Sequence, residues 1–107
     1  PRAYRYAVDA DMERVWKVVD FPTQFSRTGI AALNFNTVYQ LYRRKSEGDE
    51  ALANAETMLM MPDLLGYLLS GEKKSEYTNA TTTALVSIEG LPEKTLTGGS
   101  YVFYSEK

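Results

Sequence analysis

Residues Thr57 to Leu85 read TMLMMPDLLGYLLSGEKKSEYTNATTTAL, and the class of fold turns on how this run divides. Met58 to Met61 is apolar and stops at Pro62. So short a run has no usable periodicity, and its length and flanking proline predict a buried strand. Asp63 heads a second apolar group, Leu64, Leu65, Tyr67, Leu68 and Leu69, which Gly71 closes. That order predicts a helix capped by Asp63 and ended by Gly71. Glu72 to Glu76 is a charged turn, and the threonine-rich run Tyr77 to Val86 predicts extended structure. The stretch holds no nucleophile–base pair and no metal cluster.

Toward the N-terminus, Tyr4, Tyr6 and Val8 alternate and predict an edge strand or extended lead-in. Asp9 and Asp11 suit a helix N-cap, and Met12, Val15, Trp16 and Val19 recur at i, i+3, i+4 and i+7. An amphipathic helix ending near Asp20 follows, with Trp16 as a core anchor or a platform for stacking. Pro22 opens a short helix through Arg27, and Gly29 suits its C′ position. Ile30 to Asn34 is a connector. Phe35, Val38, Tyr39 and Tyr42 repeat the helical spacing, so a second amphipathic helix runs from Asn36 to about Ser46 with Asn34 or Asn36 as cap. Arg43, Arg44 and Lys45 in its last turn complement the helix dipole. Gly48 breaks it, and Asp49 caps a brief alanine-rich helix through about Glu56. Beyond Val86, Gly90, Pro92, Gly98 and Gly99 mark turns, and Tyr101 to Tyr104 predicts a terminal strand.

A chain of 107 residues holds one small domain. Hydrophobic residues at 44% and charged residues at 24% are globular values, which excludes disorder as a description of the whole. The net charge of −2 provides no basic footprint for nucleic acid. With no cysteine there is no disulfide, thiol nucleophile or thiolate metal site; with no histidine there is no Ser-His-Asp triad and no His-ligated zinc. No apolar run approaches the roughly 20 residues of a membrane span, and no signal-peptide pattern is visible. A start at Pro1 is expected of a processed product, an excised piece or a fragment.

Motifs for chemistry are sparse. Neither a G-x-x-x-x-G-K-[ST] loop nor a G-x-G-x-x-G turn occurs. Gly98-Gly99-Ser100 is a tight turn before it is a phosphate cradle. Asn79-Ala80-Thr81 matches a glycosylation acceptor without any sign of secretion. Asp9 with Asp11, and Asp49 with Glu50, are read as helix-start acids rather than cation ligands, so no metal site is assigned.

One resemblance is more specific. Arg27-Thr28-Gly29-Ile30 followed by Asn36-Thr37-Val38-Tyr39-Gln40-Leu41 resembles a segment of the FGGY carbohydrate kinases, in the rhamnulokinase branch. Pro62-Asp63-Leu64-Leu65, then Tyr67 to Lys73, then Tyr77-Thr78-Asn79-Ala80-Thr81-Thr82 continue it. Tyr4-Arg5 and Met12-Glu13 resemble the lead-in. The ordered set runs from about Pro1 to Leu85. Gly90 to Glu93 resembles a later turn of the family, but the Trp-Asp segment that normally precedes it is absent.

The resemblance implies an α/β fold: part of an actin-like, ribonuclease-H-like kinase domain, helix-rich with short strands. Residues 1–85 would form the middle to later part of the first kinase domain, and 86–107 a divergent or truncated tail. It also implies ATP- and magnesium-dependent phosphorylation of a ketose resembling L-rhamnulose by the full-length family, in the cytoplasm. This chain lacks the family's Asp-Gly-Thr phosphate turn, the catalytic base and the adenosine motifs. It is therefore expected to bind no cofactor and to be inactive alone, with no catalytic or metal-binding residue assigned. By position, Phe35, Asn36 and Thr37 fall near the sugar: Asn and Thr bond hydroxyls, and Phe covers an apolar sugar face. Equally, Asn36 reads as a helix cap, Thr37 as a first-turn residue and Phe35 as a hydrophobic staple. The alternative to a kinase fragment is a non-enzymatic interaction domain that self-associates through open sheet edges. A small-ligand carrier of helix and curved sheet, resting on Val8-Asp9-Ala10 and Glu13 to Trp16, ranks last.

Overall fold

The computed structural model describes residues 3–88. A 3-10 turn at Tyr4–Tyr6 leads into six helices: α1 Asp9–Trp16, α2 Phe21–Thr28, α3 Thr37–Ser46, α4 Glu50–Ala53, α5 Met61–Ser70 and α6 Tyr77–Thr81. Among the described residues there is no strand and no sheet; Val86 alone makes an isolated bridge. The α/β expectation is thereby corrected to an all-helical arrangement over this part of the chain. Self-association through sheet edges loses its basis here. The tail turns from Gly90 on and the strand at Tyr101 to Tyr104 lie outside the described residues.

The core is built where α1 crosses α3. Val15, Val38, Tyr39, Ala84 and Leu85 are buried together, and Met12, Ile30, Leu41, Tyr42 and Met58 close around them. Tyr39 is 0% exposed. The Trp16 ring meets it edge-on at 6.3 Å and also packs on Phe21 at 5.5 Å, an aromatic geometry that adds to area burial. Burying Tyr and Trp requires partners for their polar ends. One atom serves both: Gln24 Oε1 accepts from Trp16 Nε1 at 3.3 Å and from the Tyr39 hydroxyl at 3.2 Å. Trp16 is thus a core anchor.

The middle helices begin and end where local chemistry dictates. Asp20 accepts from the Thr23 amide at 2.8 Å and Pro22 sits in the first turn, so α2 starts without orphan donors at those positions. Gly29, at φ 67°, ends it in the left-handed conformation that glycine adopts without steric cost. Asp49 caps α4 through the Leu52 amide at 3.1 Å, and Gly71, at φ 75°, ends α5. The N-cap of α1 is Val8, whose side chain caps nothing, so neither Asp9 nor Asp11 caps as expected.

Three short segments depart from the extended structure expected of them, each for a local reason. Tyr4–Tyr6 forms a 3-10 turn, and the Tyr4 ring lies edge-on to Phe35 at 5.9 Å. Three alternating residues are too few to separate these states. Met58 to Met60 is half-buried and belongs to no helix or sheet; Met61 already belongs to α5, whose first turn contains Pro62. The threonine run becomes α6 because its hydroxyls bond backward. Thr81, Thr82 and Thr83 donate to the carbonyls of Thr78, Asn79 and Ala80 at 2.6–2.7 Å. Glu76 accepts from the Thr78 and Asn79 amides at 3.0 and 2.7 Å. Local side-chain bonds of this kind compete with a sheet ladder.

Candidate functional site: an open groove beside α3

After α6 the chain turns through Ala84, a non-glycine residue at φ 57°, and its carbonyls meet the start of α3. Val38 N donates to Thr83 O at 3.0 Å, and Asn36 Nδ2 donates to Thr82 O at 2.9 Å. Asn36 Oδ1 accepts from the Leu33 amide at 2.8 Å. Asn36 is 4% exposed, and its amide ties the connector, α3 and the α6 turn together. It occupies the N-cap position of α3 without capping it through its side chain.

Beside this tie lies an open groove of about 1280 Å³. Its walls come from Tyr4 and Tyr6, from one face of α3, and from the segment Met58 to Pro62. On α3 the facing side chains are Thr37, Gln40, Leu41 and Arg44, spaced i, i+3, i+4 and i+7, with Arg43 at the edge. Phe35, 44% exposed, stands at the mouth. The volume exceeds the range of about 300–1,000 Å³ usual for a closed small-molecule pocket. This is an unenclosed wall, wider than a single monosaccharide.

The polar groups on this wall are already oriented. Asp11, 3% exposed, lies between Arg14 Nη1 at 3.2 Å and Arg43 Nη1 at 3.6 Å. Arg43 also bonds Glu47 through Nε at 3.0 Å, and that hydrogen bond, followed by the Asp11 charge, raises its already high pKa. Arg44 Nε holds Asp49 at 2.6 Å. These arginines are engaged in ion pairs at the end of α3 besides complementing its dipole. Gln40 Nε2 donates to Phe35 O at 2.8 Å, and the Thr37 hydroxyl donates to Met60 Sδ at 3.8 Å. The thioether is a weak acceptor, so the Thr37 hydroxyl exchanges that contact for a better one at small cost.

Of the residues assigned to sugar contact, the structure brings Phe35 and Thr37 to the groove and turns Asn36 inward. The Phe35 ring lies edge-on to Tyr4 at 5.9 Å. Tyr4, Tyr6 and Gln40 were missed by sequence reasoning. The i, i+3, i+4, i+7 spacing of Thr37, Gln40, Leu41 and Arg44, a stripe adjacent to the apolar one, is a signal for Gln40; Tyr4 and Tyr6 carry none. Asp63, expected as the α5 cap, lies inside the helix, where Met60 is the N-cap residue. Its buried Oδ1 accepts from the Glu76 amide at 3.0 Å and positions the start of α6.

The acidic residues near the groove are engaged in bonds of their own. Magnesium takes carboxylate and phosphate oxygens, and among the described residues no group of three His, Cys, Asp or Glu is placed to hold a metal ion. Asp9 Oδ1 accepts from Asn34 Nδ2, and Asp49 is a cap and ion-pair partner. No phosphoryl step is routed through the described residues. No helix among them is long and apolar enough to cross a membrane.

The comparison with known proteins defines the class first: over most of its length the chain is similar to sugar kinases. The particular relatives are rhamnulokinases. That of Oceanobacillus iheyensis is 43% identical over 79 residues, covering 74% of this chain and 17% of that protein. The rhamnulokinase of Ligilactobacillus salivarius is 45% identical over 73 residues, 67% of this chain and 14% of that protein. For Mannheimia succiniciproducens the figures are 40% over 87 residues, 80% and 18%. No family model matches the chain. The chain is a partial, rhamnulokinase-like carbohydrate-kinase segment, and it spans 14–18% of the length of these relatives.

Proposed function

We propose that this chain is the sugar-side segment of an FGGY-type, ATP-dependent ketose kinase, with L-rhamnulose or a close analogue as its sugar, and that it transfers no phosphate alone. The observation that carries the reading is the 43% identity to a rhamnulokinase over 79 residues. The groove supports it chemically. Phe35, Tyr4 and Tyr6 offer aromatic faces to the C–H face of a sugar; the Thr37 hydroxyl and Gln40 amide bond its hydroxyls. The Arg43 and Arg44 guanidinium groups line the same groove from within their ion pairs. Phosphoryl transfer depends on positioned metal, phosphate contacts and a base. Those parts, with ATP and magnesium, belong in this reading to the remainder of the kinase, acting in the cytoplasm.

Saturation-transfer NMR with L-rhamnulose tests the pocket. Transfer to the sugar is expected, weakened by Phe35→Ala and by Thr37→Val. A spectrum identical to that of a glycerol control overturns the pocket. Incubation of the chain with ATP, magnesium and the ketose is expected to release ADP at the background rate, and robust turnover overturns the claim of inactivity.

A further inference from the structure

Three of the chain's four methionines fall in one segment, Met58-Leu59-Met60-Met61, and all three line the groove beside α3. Their surroundings differ. Met58 packs against the buried core, as Met12 does, and Met61 is 52% exposed at the start of α5. Met60 is half-buried, and its sulfur faces a polar group: the Thr37 hydroxyl donates to Sδ at 3.8 Å. Oxidants convert a methionine thioether reversibly to a sulfoxide, which exchanges an apolar group for a polar one. We propose that Met60 is an oxidation site for hydroperoxides, and that its sulfoxide captures the Thr37 hydroxyl and weakens ketose binding in the groove.

The groove is unenclosed, so a molecule as small as hydrogen peroxide reaches Met60 from solvent. The peroxide delivers one oxygen atom to the sulfur. An S–O bond forms as the O–O bond breaks, the sulfur gives up two electrons, and the peroxide leaves as water. The new oxygen is bonded to the atom that Thr37 already faces. A thioether is a weak acceptor, whereas a sulfoxide oxygen carries a large partial negative charge. Methionine has three rotatable bonds, so the longer side chain adjusts until that oxygen lies within hydrogen-bond distance of the hydroxyl. Thr37 then donates to Met60 and is withdrawn from any sugar in the groove. The loss of ketose affinity rests on the sugar-groove reading; the change at Thr37 does not.

The chain has no cysteine to compete for peroxide. The test treats the full chain, labelled with carbon-13 in its methionine and threonine methyl groups, with hydrogen peroxide. Peptide mass spectrometry counts the oxygen gained at each methionine. The Thr37 methyl resonance is expected to move in step with oxygen at Met60, in the parent and in Met61→Leu, while the Trp16 indole signal holds. Ketose affinity, read by saturation transfer with L-rhamnulose before and after treatment, is expected to fall about fivefold, what one neutral hydrogen bond contributes. In Met60→Leu, treatment is expected to change neither reading. A Thr37 resonance that stays in place once Met60 carries oxygen overturns the proposal. So does a Met60 left unoxidised after Met61 is fully converted, or a Trp16 signal that moves with Thr37, which marks unfolding. An untreated chain that gives no transfer to the ketose overturns the sugar reading alone, and the Thr37 resonance still decides the capture by Met60.

Discussion

Helices α3 and α5 each carry ten residues and an apolar stripe, and they place it oppositely. In α3, Val38 and Tyr39 are sealed by Val15 and the turn at Ala84 and Leu85. In α5, Leu68 and Leu69 face outward while Asp63 faces in. The stripe of α3 meets α1 and the α6 turn within this chain. Among the described residues that of α5 meets nothing comparable, and the part-buried bond from Glu76 N to Asp63 sets its rotation. An apolar stripe states that a helix has a partner, without saying that the partner lies nearby.

The largest test of this contrast is Tyr39→Ala. It removes a fully buried ring, its edge contact with Trp16 and its bond to Gln24, and should cost about 3–5 kcal/mol in urea unfolding. Domains have only about 5–15 kcal/mol in total, so a near-native midpoint would show that α1 and α3 are not the core. Asn36→Ala comes next, at about 2 kcal/mol, because the Leu33 amide and Thr82 carbonyl lose their partner. Unchanged stability with lost ketose contact would instead make Asn36 a sugar ligand.

Acid provides a smaller, graded test of the helix starts. Asp20 is lowered by the Thr23 hydroxyl and amide, Asp49 by Arg44 and then the Leu52 amide, and Glu76 by the Thr78 hydroxyl and then the Thr78 and Asn79 amides. A carboxyl lowered in the folded state stabilises above its unfolded pKa and loses that contribution as pH falls through the folded value. Urea midpoints should therefore hold at neutral pH and decline below about pH 4, where unperturbed carboxyls begin to protonate. Glu76→Gln should flatten part of that decline; an unchanged slope would remove Glu76 as the anchor of α6. The smallest effect belongs to Leu68→Gln, expected within about 0.5 kcal/mol of the parent. A loss above 2 kcal/mol would mean that α5 is packed within this chain and would erase the contrast.

Much of the helical middle was legible. Pro22 in the first turn of α2, the cap at Asp49, Gly29 and Gly71 as stops, and the spacing of Val15, Trp16, Val38 and Tyr39 all act within a few residues. The strands expected at Tyr4, Met58 and Tyr77 were not legible, because strand formation needs a partner elsewhere in the chain. The hydroxyls of Thr81, Thr82 and Thr83 and the cap of Glu76 supplied a closer alternative. The position of Phe35 and Thr37 at the groove was legible from the kinase resemblance. The inward turn of Asn36 was not, since its partners Leu33 and Thr82 are brought together only by the packing of α6 against α3.

By itself, the amino-acid order determined the start of α4 at Asp49, the stops at Gly29 and Gly71, the apolar stripes and the likeness to a rhamnulokinase segment, because such signals are local and motif order is linear. Only the tertiary structure decided that the threonine run is helical, that Asn36 is a tie, that Gln24 serves both Trp16 and Tyr39, and that the leucines of α5 face outward. Each depends on which distant groups arrive within bonding or packing distance, a condition that no window of sequence contains.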